Sequence, residues 1–232
     1  TIPGDIYRLY PGGSALAVYL ILQDMPAGVD PLSPDNMLVF SVSPFTGLSM
    51  SGLSRIVVSA KSPLTGTIGD SQAGGYFPVY LKGNGYDAVV IRGRSDKPVY
   101  VYLDDAKVEI RDAGKMWGHI TGESEKLIRE DLGEEKVEIA QIGPAGENMV
   151  RFANIINMCS RANGRNGMGA VMGSKNLKAL VLKKNKNLKP ADPEAFKSIT
   201  KNVKVQLEKN QTVTGLGKFG TDGDLEGFNK EG

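Results

Sequence analysis

Runs of apolar residues predict most of the regular elements in this chain of 232 residues. An uninterrupted apolar stretch over 14–25 lies between a pair of glycines and Pro26, and its length favours a buried helix over a strand. Shorter runs rich in β-branched and aromatic residues, bounded by Pro, Gly or polar residues, are typical of strands. The predicted strands cover 37–43, 54–60, 87–93, 98–103, 107–112, 136–142 and 177–183.

Two further helices are predicted from their capping residues. Thr121 is a suitable N-cap for a helix over 122–132, with two glutamates in its first turn. Asp192 followed by Pro193 predicts the start of another helix, which we expect to run to about Asn210. Because the strands outnumber the helices and often follow one another directly, the pattern favours an α+β fold over a regular βαβ alternation.

A lysine-rich stretch over 183–190 divides the chain. Such a charge run is typical of a solvated linker. We therefore expect a first domain over 1–186 and the start of a second, mainly helical domain over 187–232. The chain begins without Met and ends in a polar stretch, so we also expect it to be part of a longer protein.

Composition and charge argue against several classes of protein. The content of 41% hydrophobic residues is that of an ordinary globular protein. A formal net charge of +2, from 28 basic and 26 acidic residues, gives no electrostatic case for nucleic-acid binding. No window has the roughly 18–20 apolar residues of a membrane span, and the N-terminus has no signal-peptide pattern. We expect a cytoplasmic protein that binds neither nucleic acid nor membrane.

The chain has a single cysteine, Cys159, and a single histidine, His119. An internal disulfide is therefore impossible, and the chain alone cannot supply the roughly four ligands of a zinc site or an iron–sulfur cluster. Cys159 follows an apolar segment, so we expect a buried, inert thiol rather than a metal ligand.

The segment 161–176 carries the most chemical information. Its four glycines allow several backbone N–H groups to converge on one anion, and Arg161 and Arg165 can each bind a phosphate in bidentate fashion. If Ala170 begins a helix, the helix dipole also favours an anion there. The spacing matches neither a Walker A loop nor a dinucleotide fingerprint. The alternative is a glycine-rich turn used only for close packing.

Three other turns offer similar groups, at 61–66, 72–77 and 143–148. Each is also compatible with an ordinary turn. In the second of them, the amide of Gln72 can donate and accept hydrogen bonds at once, as the edge of a heterocycle requires. Arg55 lies inside a predicted apolar strand. If buried it needs a partner, for which an anionic ligand is one candidate, and otherwise it faces solvent.

These segments together resemble one known family, the tungsten-containing aldehyde ferredoxin oxidoreductases. The similar segments appear in the same order along the chain, and the similarity extends over about residues 10–220. They read VDPLSPDN at 29–36, KSPLTG at 61–66, GGYF at 74–77, GYDAVVIRG at 85–93, IGPAGEN at 142–148 and RANGRNGMGAVMGSKNLKA at 161–179.

The resemblance implies an α+β domain whose two β-sheets, with flanking helices, enclose a pterin cofactor site. The implied cofactor is a tungstopterin, a bis-molybdopterin that carries tungsten or molybdenum. The implied reaction oxidises aldehydes to carboxylic acids, with a [4Fe–4S] cluster passing electrons to ferredoxin. The cofactor-binding residues that it implies are Arg55, Gln72, Gly74, Arg161, Ala162, Gly164 and Arg165.

This sequence also departs from the family pattern. It contains none of the cluster cysteines, so the chain by itself is expected to be inactive. Ser14 and Ala15 stand where the family tends to have an Arg–Gly pair, and Gln72 stands where it has an Asn. The resemblance leaves a homodimer open. The alternative from another class is a non-catalytic module that binds a phosphate or nucleotide through the segment 161–176.

Overall fold

The structure is a computed structural model that describes residues 1–105 and 107–231. The chain divides into two compact units, Thr1–Leu188 and Lys189–Gly232, although Gly232 itself lies outside the described residues. The strands of the first unit form two sheets with helices against them. The predicted α+β class with two sheets and flanking helices is therefore confirmed.

The first sheet is antiparallel and has four strands. They are β1 (Leu38–Val42), β2 (Ile56–Lys61), β3 (Ile68–Ala73) and β4 (Ala88–Ile91). Their order across the sheet is β3-β2-β1-β4, so β3 and β4 are its edges. The register pairs Phe40 with Val58 and Val57 with Gln72.

The second sheet is mixed and has six strands. They are β5 (Val99–Asp104), β6 (Lys107–Asp112), β7 (Val137–Gln141), β8 (Ile155–Asn157), β9 (Arg161–Asn163) and β10 (Leu177–Lys183). The order is β6-β5-β10-β7-β8-β9. The last strand in sequence, β10, therefore lies inside the sheet, parallel to β5 and antiparallel to β7.

The main core unites residues from both sheets. Alternate side chains of the strands form it, because successive residues of a strand point to opposite faces. Phe40 and Val58 of the first sheet belong to the same buried cluster as Leu103 and Leu180 of the second. Full burial of such a side chain stabilises the fold by about 1.5–3 kcal/mol. The cluster fixes how the two sheets meet and thereby positions their edges.

Helices cover the remaining faces of the first unit. They are α1 (Gly4–Leu9), α2 (Gly13–Asp24), α3 (Phe77–Gly83), α4 (Thr121–Leu132), α5 (Pro144–Glu147) and α6 (Met168–Ser174). Helix α2 packs Ala17 and Ile21 against Val39 of the first sheet. Helix α4 packs Ile128 against the tyrosine-bearing face of β5. Helix α6 is buried along its whole length.

The second unit contains α7 (Pro193–Lys209), α8 (Gln211–Phe219), a short 3-10 helix (Gly220–Asp224) and α9 (Leu225–Glu231). The predicted N-cap is confirmed, because the Asp192 side chain accepts a hydrogen bond from the Ala195 N–H at 2.9 Å. No described residue of these helices is buried. Apolar side chains such as Leu216 and Phe228 are exposed. Among the described residues, none of the helices combines the length with the apolar sequence that a membrane span requires.

Candidate functional site

The edge strands of the two sheets, β3 and β9, meet and are joined by hydrogen bonds. The Asn163 side chain donates to the Ser71 carbonyl oxygen at 2.7 Å. The backbone N–H of Arg165 donates to the Ser71 hydroxyl oxygen at 3.0 Å. Asn166 donates to the Asp70 carbonyl at 2.6 Å. The segment 161–166 is thus fixed to β3, with Asn163 buried and its neighbours facing outward.

A glycine turn after β3 closes the same region. The Ser54 hydroxyl, next to Arg55, donates to the Gly75 carbonyl. A Cβ on Gly75 would lie 2.5 Å from Asn157 Oδ1 and 3.5 Å from Arg161 Cγ, and its φ of +113° favours glycine. The residues before β2, the turn after β3 and the β8–β9 hairpin therefore come together.

The seven predicted cofactor-binding residues share this region, which we call the arginine patch. It consists of Arg55, Gln72, Gly74, Arg161, Ala162, Gly164 and Arg165. Gly74 is half-buried and the other six are exposed. The Gln72 side chain points to the face of β3 opposite Ser71, because side chains alternate along a strand. The prediction that Arg55 lies inside a strand is wrong: β2 begins one residue later, and Arg55 is exposed.

The arginines of the patch differ from several others in the chain. Arg92, Arg111 and Arg129 each pair with a carboxylate. Among residues 1–105 and 107–231, no carboxylate lies within ion-pair distance of the three guanidinium groups of the patch. Three exposed guanidinium groups without such partners suit an anionic ligand that accepts several hydrogen bonds.

Three glycines of the predicted phosphate segment serve packing. A Cβ would lie 1.8 Å from the Arg151 carbonyl oxygen at Gly167, and 2.5 Å from the Asn154 oxygen at Gly169. At Gly173 it would lie 1.9 Å from the Gly146 oxygen. The backbone therefore fills the space around the start of α6, and Gly169 N–H donates to the Ala153 carbonyl at 2.9 Å. The expectation of an anion at this helix N-terminus is wrong.

Gly74 and Gly164, unlike those three glycines, have room for a side chain. A Cβ at Gly74 would have its nearest neighbour at 3.6 Å, and one at Gly164 at 3.8 Å, both ordinary contacts. Neither residue is among those with positive φ. The fold itself therefore does not require glycine at these two positions, whereas a ligand that approaches the backbone closely would.

Other segments that were expected to contribute groups use them in packing instead. Lys175 is 2% exposed and donates to the carbonyls of Pro34 and Gly93 at 3.2 and 3.1 Å. Burial lowers the pKa of Lys175 to about 8. In the turn 61–66, the Ser62 hydroxyl donates to the Asn166 carbonyl at 2.8 Å. In the turn 143–148, Glu147 forms a buried ion pair with Lys178.

Cys159 is exposed, so the prediction that it is buried is wrong. The apolar segment before it ends in a tight hairpin turn in which Met158 and Cys159 both have positive φ, and this turn brings the thiol to the surface. Desolvation of the sulfur, followed by a hydrogen bond to Glu125 at 3.0 Å, raises the pKa of the thiol to about 11. A thiol with such a pKa is a poor nucleophile at neutral pH, as the prediction of an inert thiol requires.

Asn157 was not predicted as a functional residue. It is 1% exposed, and neither amide atom has a hydrogen-bond partner within the described residues. Its signal in the sequence was a polar residue inside the apolar run 155–158.

The described part of the chain contains no group of three or more His, Cys, Asp or Glu residues that could hold a metal ion. The guanidinium groups of the patch are cations, so the patch offers groups for an anion.

Comparison with known proteins identifies similar chains. The family model described as "Aldehyde ferredoxin oxidoreductase, N-terminal domain" matches residues 1–184 of this chain. A tungsten-containing aldehyde ferredoxin oxidoreductase of Pyrococcus furiosus is 48% identical over 219 residues, which cover 94% of this chain and 36% of that protein. A WOR-like subunit of an aliphatic sulfonate oxidoreductase from the same organism is 36% identical over 77% of this chain and 31% of its own length.

A solved structure has the same fold. The active-site complex BamBC of benzoyl coenzyme A reductase, in complex with 1,5-dienoyl-CoA, superposes with a TM-score of 0.87 at 35% identity. The superposition covers 91% of this chain and 32% of the other. The chain thus spans about a third of the length of the proteins that it matches.

Proposed function

Because the chain belongs to the aldehyde ferredoxin oxidoreductase family, we propose that it is the tungstopterin-binding part of an enzyme that oxidises aldehydes to carboxylic acids. The electron acceptor in this proposal is ferredoxin, and the enzyme works in the cytoplasm. The proposed cofactor is a bis-molybdopterin that carries tungsten or molybdenum.

The observation that carries the proposal is the combination of guanidinium groups without carboxylate partners and glycines that the fold does not require. Arg161 and Arg165 flank Gly164 on the segment that is fixed to β3. A phosphate-bearing ring system needs cations for its phosphate, close approach to backbone for its flat ring, and donors and acceptors for its polar edge. The arginine patch offers all three.

In this proposal the residues of the chain bind and orient, and the cofactor supplies the oxygen and electron transfer when bound. Arg161 and Arg165 hold the phosphate and the ring edge through charge-assisted hydrogen bonds. Gly74 and Gly164 admit the ligand to the backbone. A [4Fe–4S] cluster would need cysteines outside these 232 residues, which contain only Cys159.

The substrate is assigned from the names of similar proteins and not from the arginine patch. Similar chains occur in proteins named for an aldehyde, an aliphatic sulfonate and benzoyl coenzyme A. Such a range favours a domain that binds a shared cofactor, with substrate choice made elsewhere in the whole protein. We assign aldehydes because the relatives with the higher identities carry that name.

The test is the cofactor content of the full-length natural protein, produced with tungstate and molybdate in the medium. We expect about one tungsten or molybdenum atom per chain by elemental analysis, together with pterin detected by fluorescence after oxidation. Neither metal nor pterin in a folded protein would contradict the proposal.

Arginine variants test which groups hold the cofactor. A hydrogen bond to a charged group contributes about 1.5–3 kcal/mol, so Arg161→Ala or Arg165→Ala should weaken retention about ten- to a hundredfold. Arg161→Lys should be nearly as harmful if the contact is bidentate, since an ammonium group cannot reproduce the planar fork. Arg94→Ala is the matched control, because Arg94 is also exposed but lies between β4 and β5. Wild-type cofactor content in both Arg161→Ala and Arg165→Ala would contradict the cofactor-binding role of these arginines.

A further inference from the structure

Asn157 is a buried amide under the arginine patch. Its Oδ1 lies 2.5 Å from the position of a Cβ on Gly75, so only a residue without a side chain fits above it. Its strand partner across the hairpin is Arg161. Paired residues of neighbouring strands point to the same face, so the amide lies on the side of the hairpin from which Arg161 extends.

The amide is left without partners, although the residues around it are well bonded. Asn163, which lies on the same face of the hairpin, donates to Ser71 at 2.7 Å. Neither Nδ2 nor Oδ1 of Asn157 has a partner within the described residues. An amide buried without hydrogen bonds destabilises a fold, and an apolar side chain of similar size would fit at lower free energy. Packing alone therefore does not explain an asparagine here.

We propose that Asn157 is a further cofactor-binding residue, whose amide donates to and accepts from the polar edge of the pterin. This proposal rests on the proposed function. An amide presents one donor and one acceptor side by side, which complements a ring edge with the reverse pattern. Gly75 then has a second role, because its missing side chain makes room for the Asn157 amide directly beneath the turn that belongs to the patch.

The decisive variant is Asn157→Leu, made in the full-length protein. It removes two unpartnered polar atoms, so the melting temperature of the cofactor-free protein should stay the same or rise. Retention of pterin and metal should fall by about tenfold, as expected for the loss of one or two hydrogen bonds. Opposite changes in these two measurements distinguish a binding role from a structural one.

Ser59→Ala is the matched control. Ser59 is fully buried, and its hydroxyl also lacks a partner within the described residues. It pairs with Val39, which belongs to the cluster under α2 rather than to the patch. We expect this variant to leave cofactor retention at the wild-type level, with the stability of the cofactor-free protein unchanged or higher.

The measurements are pterin fluorescence and metal content after gel filtration, and melting of protein from a host that makes no pterin. Wild-type retention in Asn157→Leu, or an equal loss in Ser59→Ala, would overturn the role of Asn157 and leave the proposed function standing. A wild-type protein without pterin would overturn both. If the leucine variant does not fold, Asn157→Ala decides, since it removes the whole amide without adding volume; wild-type retention there overturns the proposal.

Discussion

At the scale of single residues, the glycines around the arginine patch divide into two groups. Gly167 and Gly173 have backbone oxygens within 2 Å of a Cβ position, whereas Gly74 and Gly164 have no neighbour closer than 3.6 Å. Glycine allows many backbone conformations in the unfolded chain, so its replacement by alanine stabilises a protein where the native conformation accepts a side chain.

We predict that Gly74→Ala and Gly164→Ala fold as stably as the wild type, with a gain of up to about 1 kcal/mol. The same variants should lose cofactor, because the added methyl group keeps the ligand from the backbone. Thermal melting of the cofactor-free protein and pterin content measure the two effects.

Gly173→Ala is the matched control and should unfold at a clearly lower temperature, since the methyl group would overlap the Gly146 oxygen. Normal cofactor content in both Gly74→Ala and Gly164→Ala would show that their glycines serve no ligand. Loss of stability in these two variants would equally contradict the prediction.

At the scale of elements, two acidic side chains lie near each other, Glu125 on α4 and Glu138 on β7. Burial, followed by the nearby Glu125 carboxylate on α4, raises the pKa of Glu138 to about 7, and Arg129 opposes the shift only in part. The unfolded chain would ionise this group near its usual pKa of 4.5. Between these two values the folded state binds the proton more tightly, so this contribution to stability is lost as the pH rises.

We predict that the contribution of Glu138 to the free energy of unfolding falls by about 1–3 kcal/mol from pH 4.5 to 7 and then stays constant. Glu138→Gln should therefore raise the melting temperature at pH 8 and change it little at pH 4.5. Glu135→Gln, at an exposed position in the turn before β7, is the control and should change neither. An equal shift at both pH values in Glu138→Gln would contradict the argument.

The elements that the sequence predicted well are those with long apolar runs. The helix predicted over 14–25 is observed at Gly13–Asp24, and the strand predicted over 177–183 at Leu177–Lys183. Strands β3 and β9 were not predicted, because IGDSQA and RAN contain little apolar sequence. Their positions are set by tertiary hydrogen bonds, such as that from Asn163 to Ser71, which a local pattern does not contain.

The candidate site was predictable only in part for the same reason. The two arginines and the glycine of the segment 161–165 stand out by residue type, and the family resemblance pointed to Arg55 and Gln72. Nothing in the spacing distinguishes Gly164, which has free space, from Gly167, which is enclosed by the Arg151 backbone. That difference depends on contacts between residues that are distant in sequence.

At the scale of the whole molecule, the stable core lies in the first unit. The buried apolar residues of the described chain end at Leu182, and the helices that follow bury none. The lysine-rich stretch predicts a domain boundary at residue 186, and the compact unit ends at Leu188. We propose that residues up to Leu188 form a domain that folds by itself.

A chain that ends after Leu188 should therefore melt within about 2 °C of the 232-residue chain, since a change of 1 kcal/mol shifts a domain of this size by about 2–4 °C. Thermal melting followed by circular dichroism, together with hydrogen exchange, compares the stability of the two proteins. A chain that ends after Asn176 is the control and should not fold, because it lacks β10. An unfolded chain up to Leu188 would contradict the proposed boundary.

The position of β10 also determines when the protein can fold during synthesis. The first sheet is complete once Ile91 has left the ribosome, but the six-stranded sheet lacks an inner strand until Lys183 follows. At the usual rates of translation, the roughly 90 residues between them take about 5–20 s to be made. Until Lys183 is made, the second sheet lacks this inner strand, so the cover over Phe40 and Val58 of the first sheet stays incomplete. A core that stays incomplete for seconds exposes apolar strands during synthesis, which favours aggregation of the nascent chain.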